Sequence, residues 1–207
     1  MEMISLKVKN LTKCFGQRKV FKDLSFEVEE KSCLVVVGKN GSGKTTLLRI
    51  LAGLCSPDQG EMEFILDGRN MKKNQAKKFL SLVAPDLNLY DELTALENLL
   101  FLSKIQSLDL DSKKLKELLY DAGLGGREND PVGSFSSGMK QRLKYTFALL
   151  NQPKFLLLDE PSSNLDQDGI SYLEKILSEH KKTSTLVLAT NNKEETKYGD
   201  KILSLGF

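Results

Sequence analysis

Two apolar patterns run along this chain, and their alternation predicts a layered α/β fold. Met3 to Val8 and Phe21 to Val28 switch between apolar and polar residues, as half-buried antiparallel strands do. Cys33-Leu34-Val35-Val36-Val37, Phe155 to Leu158 and Leu186 to Ala189 are unbroken apolar runs, the pattern of strands covered on both faces. Glu61 to Leu66, followed by Asp67-Gly68, predicts a strand ending in a turn, and Ile202 to Leu205 a last strand. Apolar residues recur at helical spacing over Thr45 to Leu51, Thr94 to Gln106, Ser112 to Ala122, Ser136 to Leu150 and Gln167 to Lys181. Gly53 to Gly60, with its Ser-Pro-Asp, reads as a loop. The expectation is one α/β domain over 1–207 with a parallel core sheet and an antiparallel β subdomain (1–85 and 151–207) and a helical subdomain (86–150).

Composition narrows the function little and the surroundings more. Lys+Arg 30 against Asp+Glu 28 leaves a net charge of +2, interleaved along the chain, which gives no support to a nucleic-acid partner. The cysteines, Cys14, Cys33 and Cys55, lack metal-site spacing and read as buried, reduced thiols. No run approaches the ~18 apolar residues of a membrane helix, and no signal-peptide pattern is evident, so any membrane role is expected to come through a partner. The single histidine, His180, lies at a charged helix end and reads as solvated.

The chemistry enters at Gly38-Lys39-Asn40-Gly41-Ser42-Gly43-Lys44-Thr45-Thr46, which fits the phosphate-binding loop G-x-x-x-x-G-K-[ST] at every fixed position. It lies between an apolar strand and a helical pattern, the context the motif requires. The fixed positions alone recur by chance in roughly one in a hundred chains of this length. The flanking elements lower that further, so the chain is expected to bind a nucleoside triphosphate. The loop from Gly38 through Asn40, Gly41, Ser42 and Gly43, together with Thr46 in the first helical turn, would turn backbone N–H groups onto phosphate oxygens. Lys44 would reach the β- and γ-phosphates and the Thr45 hydroxyl would ligate Mg²⁺. Far downstream, the apolar run Phe155 to Leu158 ends in Asp159-Glu160. Beside a phosphate loop, Asp159 is expected to hold Mg²⁺ and Glu160 to activate the attacking water.

With these motifs the chain resembles the ATP-binding cassette (ABC) ATPases, over almost its full length. Phe135-Ser136-Ser137-Gly138-Met139-Lys140-Gln141-Arg142 is similar to the family's signature, LSGGQ followed by Gln-Arg, just upstream of the Asp-Glu strand. Pro161-Ser162-Ser163-Asn164-Leu165-Asp166 resembles its D-loop, and Phe15-Gly16 falls where the family places an aromatic that stacks on adenine. The resemblance implies a P-loop ABC ATPase core, ATP and Mg²⁺ as ligands, and ATP hydrolysis. It also implies head-to-tail pairing with a second cassette, in which Ser136 and the Gly138 N–H meet the γ-phosphate in trans. Leu89 to Leu99 looks like the family segment beside the membrane-subunit contact. The implied role is the ATPase subunit of an ABC transporter at the inner face of the cell membrane, bound to an integral membrane subunit. The short length and the Ser-x-Gly-Met signature are similar to bacterial export-type cassettes, including haem or cytochrome-c maturation exporters.

Three motifs depart from the family pattern. Asn191, in Ala189-Thr190-Asn191-Asn192, stands where the family carries its switch histidine, and Pro85 stands for the Q-loop glutamine. In the signature, Ser137 and Met139 replace a glycine and the glutamine. Asparagine can hydrogen-bond a γ-phosphate but cannot carry a proton there. These positions leave open a slowly hydrolysing enzyme or an ATP-dependent dimer switch. A soluble ABC ATPase, of the cluster-assembly kind, is the remaining alternative.

Overall fold

The computed structural model describes residues 4–206. Met3, where the first strand is expected to begin, and the outermost residues of the expected domain, 1, 2 and 207, lie outside the described residues. Within them the chain forms two compact units, 4–84 with 153–161 and 177–206, and 85–152 with 162–176.

The first unit holds both sheets. Strands β1 (Ile4–Phe15), β2 (Arg18–Val28), β4 (Gln59–Leu66) and β5 (Arg69–Met71) form an antiparallel sheet in the order β2-β1-β4-β5. Strands β3 (Cys33–Val37), β6 (Leu80–Val83), β7 (Phe155–Asp159), β8 (Thr185–Thr190) and β9 (Lys201–Ser204) form a sheet in the order β6-β7-β8-β3-β9 whose neighbours all pair in parallel. The uninterrupted apolar runs account for its centre: every residue of β7 and β8 is buried, as parallel strands covered on both faces must be. Helix α1 (Lys44–Leu51) packs on β7 and β8, burying Leu47, Leu48, Ile50 and Leu51. Each such side chain contributes about 1.5–3 kcal/mol by leaving water. The same cluster includes Ile4, Leu6 and Val8 of β1, and Phe64 of β4 meets Phe155 of β7 edge-on at 5.7 Å, so one core serves both sheets.

β1 runs well past Val8, where the alternation stops. Its pairing with β2 shifts register between Val8 and Leu11, at Asn10 with φ 51°, and the bulge breaks the period-2 pattern while the strand continues. β5 and β6, which the pattern did not predict, are an edge hairpin strand and an edge strand too short to carry a periodicity. His180 corrects the expectation of a solvated side chain. It is half-buried and its Nδ1 is buried without a hydrogen-bond partner among the described residues. Burial pushes its pKa down, with Lys154 adding to the shift and Glu179 opposing it. Of the thiols, Cys33 alone is fully buried and desolvation pushes it up to about 12; Cys14 and Cys55 are half-buried rather than buried as expected.

The second unit is helical. Its helices are α3 (Ala95–Ile105), α4 (Ser112–Asp121), α5 (Ser137–Leu149) and most of α6 (Gln167–His180); the short α2 (Lys73–Ala76) belongs to the first unit. Side chains start them: Thr94 and Glu97 form a reciprocal capping box on α3, Asp111 caps α4 and Ser136 caps α5. Leu99, Leu115, Leu119 and Leu143 interlock in its core, and Tyr172 of α6 packs against them, which draws 162–176 into this unit.

Candidate functional site

The strand order sets where chemistry can be done. β3 ends in the glycine loop and β7 ends in the acidic pair, with only β8 between them, so both motifs emerge at the carboxyl edge of one sheet. Asp159 pairs in register with Ala189, and the Glu160 N–H donates to the Ala189 carbonyl at 2.8 Å. Glu160 holds φ 48°, a left-handed conformation that a non-glycine residue keeps only when its surroundings fix it.

The loop is shaped by its glycines at two places. Gly43 has φ 101°, and a side chain there would overlap Val20 Cγ1. A side chain on Gly38 would run into Ser42 Oγ and the Leu205 carbonyl. Gly43 is also the N-cap of α1 and supplies no side-chain acceptor, so the first turn of the helix carries no side-chain cap and its N–H groups keep their partial positive charge. Ser42 Oγ is buried without a partner among the described residues.

Four side chains meet where the two motifs converge. The Thr45 hydroxyl donates to Asp159 Oδ2 at 2.6 Å. Lys44, 5% exposed, donates to the Gly38 carbonyl at 2.8 Å and lies 3.2 Å from Glu160 Oε1. Glu160 Oε2 in turn accepts the Asn191 N–H at 3.2 Å, and Asn191 Nδ2 donates to Asn40 Oδ1 at 3.0 Å. Asp159 is 2% exposed and its Oδ1 has no partner among the described residues. Burial raises its pKa, the Glu160 charge adds to that, and the Thr45 hydrogen bond, Lys44 and Arg49 oppose it. A buried carboxylate with one oxygen on a hydroxyl and the other unpaired is short of positive charge. That donor set fits a hard divalent cation, with Thr45 and Asp159 as the holders and the remaining positions left to water and phosphate oxygens.

A cavity of about 480 Å³ opens over this cluster, lined by Asn40, Gly41, Gly43, Lys44, Thr45, Thr46 and Glu160, with Phe15 at its rim. Phe15 is 57% exposed at the tip of the β1–β2 hairpin. Arg18, two residues past the Phe15-Gly16 turn, also lines the cavity and reaches the Gly41 carbonyl at 3.5 Å. Sequence reasoning missed Arg18, whose only signal was a cation beside the aromatic turn. Asn191 lines a neighbouring cavity of about 730 Å³ together with Lys39, Asn40 and Lys193.

Ser136 and Gly138 belong to the helical unit. Ser136 Oγ accepts the Met139 N–H at 3.2 Å, capping α5. Gly138 is buried, and a Cβ there would meet the Asn164 carbonyl and Asp166 Oδ2 at 3.4 Å, so packing also requires a small residue. Pro85, in the same unit, accepts a hydrogen bond from Lys144 Nζ at 3.1 Å through its carbonyl. Among the described residues no helix is long and apolar enough to cross a membrane.

The profile of the ABC transporter family matches residues 21–163. The cytochrome c biogenesis ATP-binding export protein CcmA of Vibrio vulnificus is 33% identical over 189 residues, covering 91% of this chain and 92% of that protein. The lantibiotic transport ATP-binding protein SrtF of Streptococcus pyogenes is 33% identical over 187 residues, covering 90% of this chain and 80% of that one. Among solved structures, a bacterial ABC transporter cassette determined as a dimer superposes with a TM-score of 0.83 at 26% identity, over 97% of this chain and 94% of its own.

Proposed function

Because this chain belongs to the ABC transporter family of ATP-binding proteins, we propose that it is the ATP-hydrolysing subunit of an export-type transporter, acting as a dimer on separate membrane subunits. The observation that carries the reading is the convergence of Thr45 on Asp159 at 2.6 Å and Lys44 on Glu160 at 3.2 Å, which joins the phosphate loop to the acidic pair. The export direction rests on the likeness to CcmA, and a place at the inner face of the membrane rests on the family's need for a membrane partner.

In this reading the loop N–H groups and Lys44 hold the β- and γ-phosphates, and Phe15 stacks on the adenine. Thr45 and Asp159 hold Mg²⁺, which offsets phosphate charge when bound. Glu160 accepts the proton of the attacking water as that oxygen bonds to the γ-phosphorus and the bond to the β-phosphate oxygen breaks, leaving ADP and inorganic phosphate. Binding draws Lys44 from Glu160 toward phosphate, which frees the carboxylate for the water. Ser136 and the Gly138 N–H, at the start of α5, meet the γ-phosphate of the second cassette, so ATP is shared across the pair. Asn191 contributes a hydrogen bond but no proton, which supports slow turnover.

The test is Glu160→Gln. It keeps the shape and loses the basicity, so hydrolysis falls about 10²–10⁴-fold while MgATP still binds. Sizing chromatography of that variant with MgATP should show a dimer. Undiminished turnover would remove Glu160 from the chemistry, and a monomer at saturating MgATP would remove the shared-nucleotide pairing.

A further inference from the structure

We propose that Asp58, acting through Lys13, is a positioning residue for nucleotide-base recognition: the two hold the Phe15 ring where it stacks on the base. The inference rests on the reading of Phe15 given above and extends it to residues outside the cavity.

The end of β1 cannot hold Phe15 unaided. Its pairing with β2 is irregular between Leu11 and Lys13 and again between Lys13 and Cys14, and the hairpin turns through Gly16 at φ 58°. Asp58, in the loop before β4, fastens three successive residues of that stretch. Its N–H donates to the Thr12 carbonyl at 3.0 Å. Its Oδ2 accepts the Cys14 N–H at 2.6 Å, and its Oδ1 accepts Lys13 Nζ at 3.2 Å. These bonds, led by the one from Cys14, hold the Asp58 pKa below the usual carboxylate range, so the clamp is charged at neutral pH.

Lys13 is the link to the ring. Its side chain is 11% exposed along its length, and its ammonium pairs with the more exposed Asp58 carboxylate, which fixes where the charge sits. Held there, Lys13 Nζ stands over the Phe15 ring, 5.2 Å from its centroid. The cation backs one face of a ring that is 57% exposed and lines the cavity. Without Asp58 the flexible lysine stem would carry its charge out to water, and ring and turn would lose their support together.

A residue that merely stabilised the loop would affect every ligand alike, whereas this clamp acts on the base and not on the phosphates. The experiment measures binding of ATP and of inorganic tripolyphosphate, both with Mg²⁺, to the wild type and to Asp58→Asn, Lys13→Met and Phe15→Ala, together with the Asp58→Asn/Phe15→Ala pair. Each single variant should weaken ATP by about three- to tenfold and leave tripolyphosphate unchanged. The double variant should bind ATP no more weakly than Phe15→Ala alone. In Asp58→Asn and Lys13→Met, steady-state KM should rise with kcat within about twofold of the wild type. ATP affinity retained in both Asp58→Asn and Lys13→Met, parallel loss of ATP and tripolyphosphate, or additive losses in the double variant would each overturn the clamp. Unchanged ATP affinity in Phe15→Ala would overturn base stacking itself, and the clamp with it.

Discussion

Asn191 makes two contacts of different kinds, and they separate what a substitution keeps from what it changes. Its N–H to Glu160 Oε2 belongs to the backbone and survives any side chain, while Nδ2 to Asn40 is lost or remade. Asn191→His should therefore leave Glu160 held and add a group able to exchange a proton near the γ-phosphate. The expected outcome is higher single-turnover hydrolysis with ATP affinity within about twofold, because the gain is confined to the transition state. Equal rates for the two proteins would show that this position does not limit the reaction. At this scale the sequence was legible where a motif fixes residue types at fixed spacing, as from Gly38 to Thr45, which the structure places between β3 and α1. It was silent on which distant residues fold together. Asp58 lies 44 positions from Cys14, and nothing in the spacing announces their hydrogen bond.

The elements were readable in proportion to how strongly burial constrains them. β3, β7 and β8 are enclosed on both faces and read as continuous apolar runs; α3, α4 and α5 bury one stripe and read as helices to within a residue or so. β1 was read as ending at Val8 because its bulge displaces the alternation, and β6 at the sheet edge has half-buried positions that mimic a loop. The junction of β3, loop and α1 gives the sharpest element-scale prediction. Gly43 combines φ 101° with a neighbour, Val20, that leaves no room for a Cβ, so Gly43→Ala must move either the loop or the β2 strand. The expected cost is about 1–3 kcal/mol of stability. ATP binding should be lost by more than that, since the N–H groups no longer converge. Calorimetric titration with ATP and thermal melts without it separate the two effects, and native affinity in a folded variant would show that the loop tolerates another path.

Across the whole molecule, segments far apart in sequence are tied at the end of α6. Lys181 pairs with Asp200 at 2.6 Å, the Asp200 carboxylate accepts the Cys33 N–H at 2.8 Å, and Asp200 N–H returns to the Cys33 carbonyl. The His180 carbonyl accepts the Ser184 N–H just before β8, so β3, β8, β9 and α6 meet around one turn. His180 sits within this turn, half-buried, with a pKa pushed below its usual 6.5 chiefly by burial. Its unfolded form takes up a proton more readily than its folded form. The stability contributed by keeping it neutral is therefore complete above about pH 6.5 and is lost as pH falls through the folded value. Charging it would place a cation near Lys154 and strain a junction on which the parallel sheet depends. Urea unfolding from pH 7.5 to 5 should show the wild type losing stability, and His180→Gln losing less over the same range while unfolding with a similar m-value. Because glutamine does not titrate, the difference between the two proteins isolates this one site from every other group that changes charge. Parallel profiles for the two proteins would mean that His180 charges as easily folded as unfolded, and acid sensitivity would then have to come from the carboxylates.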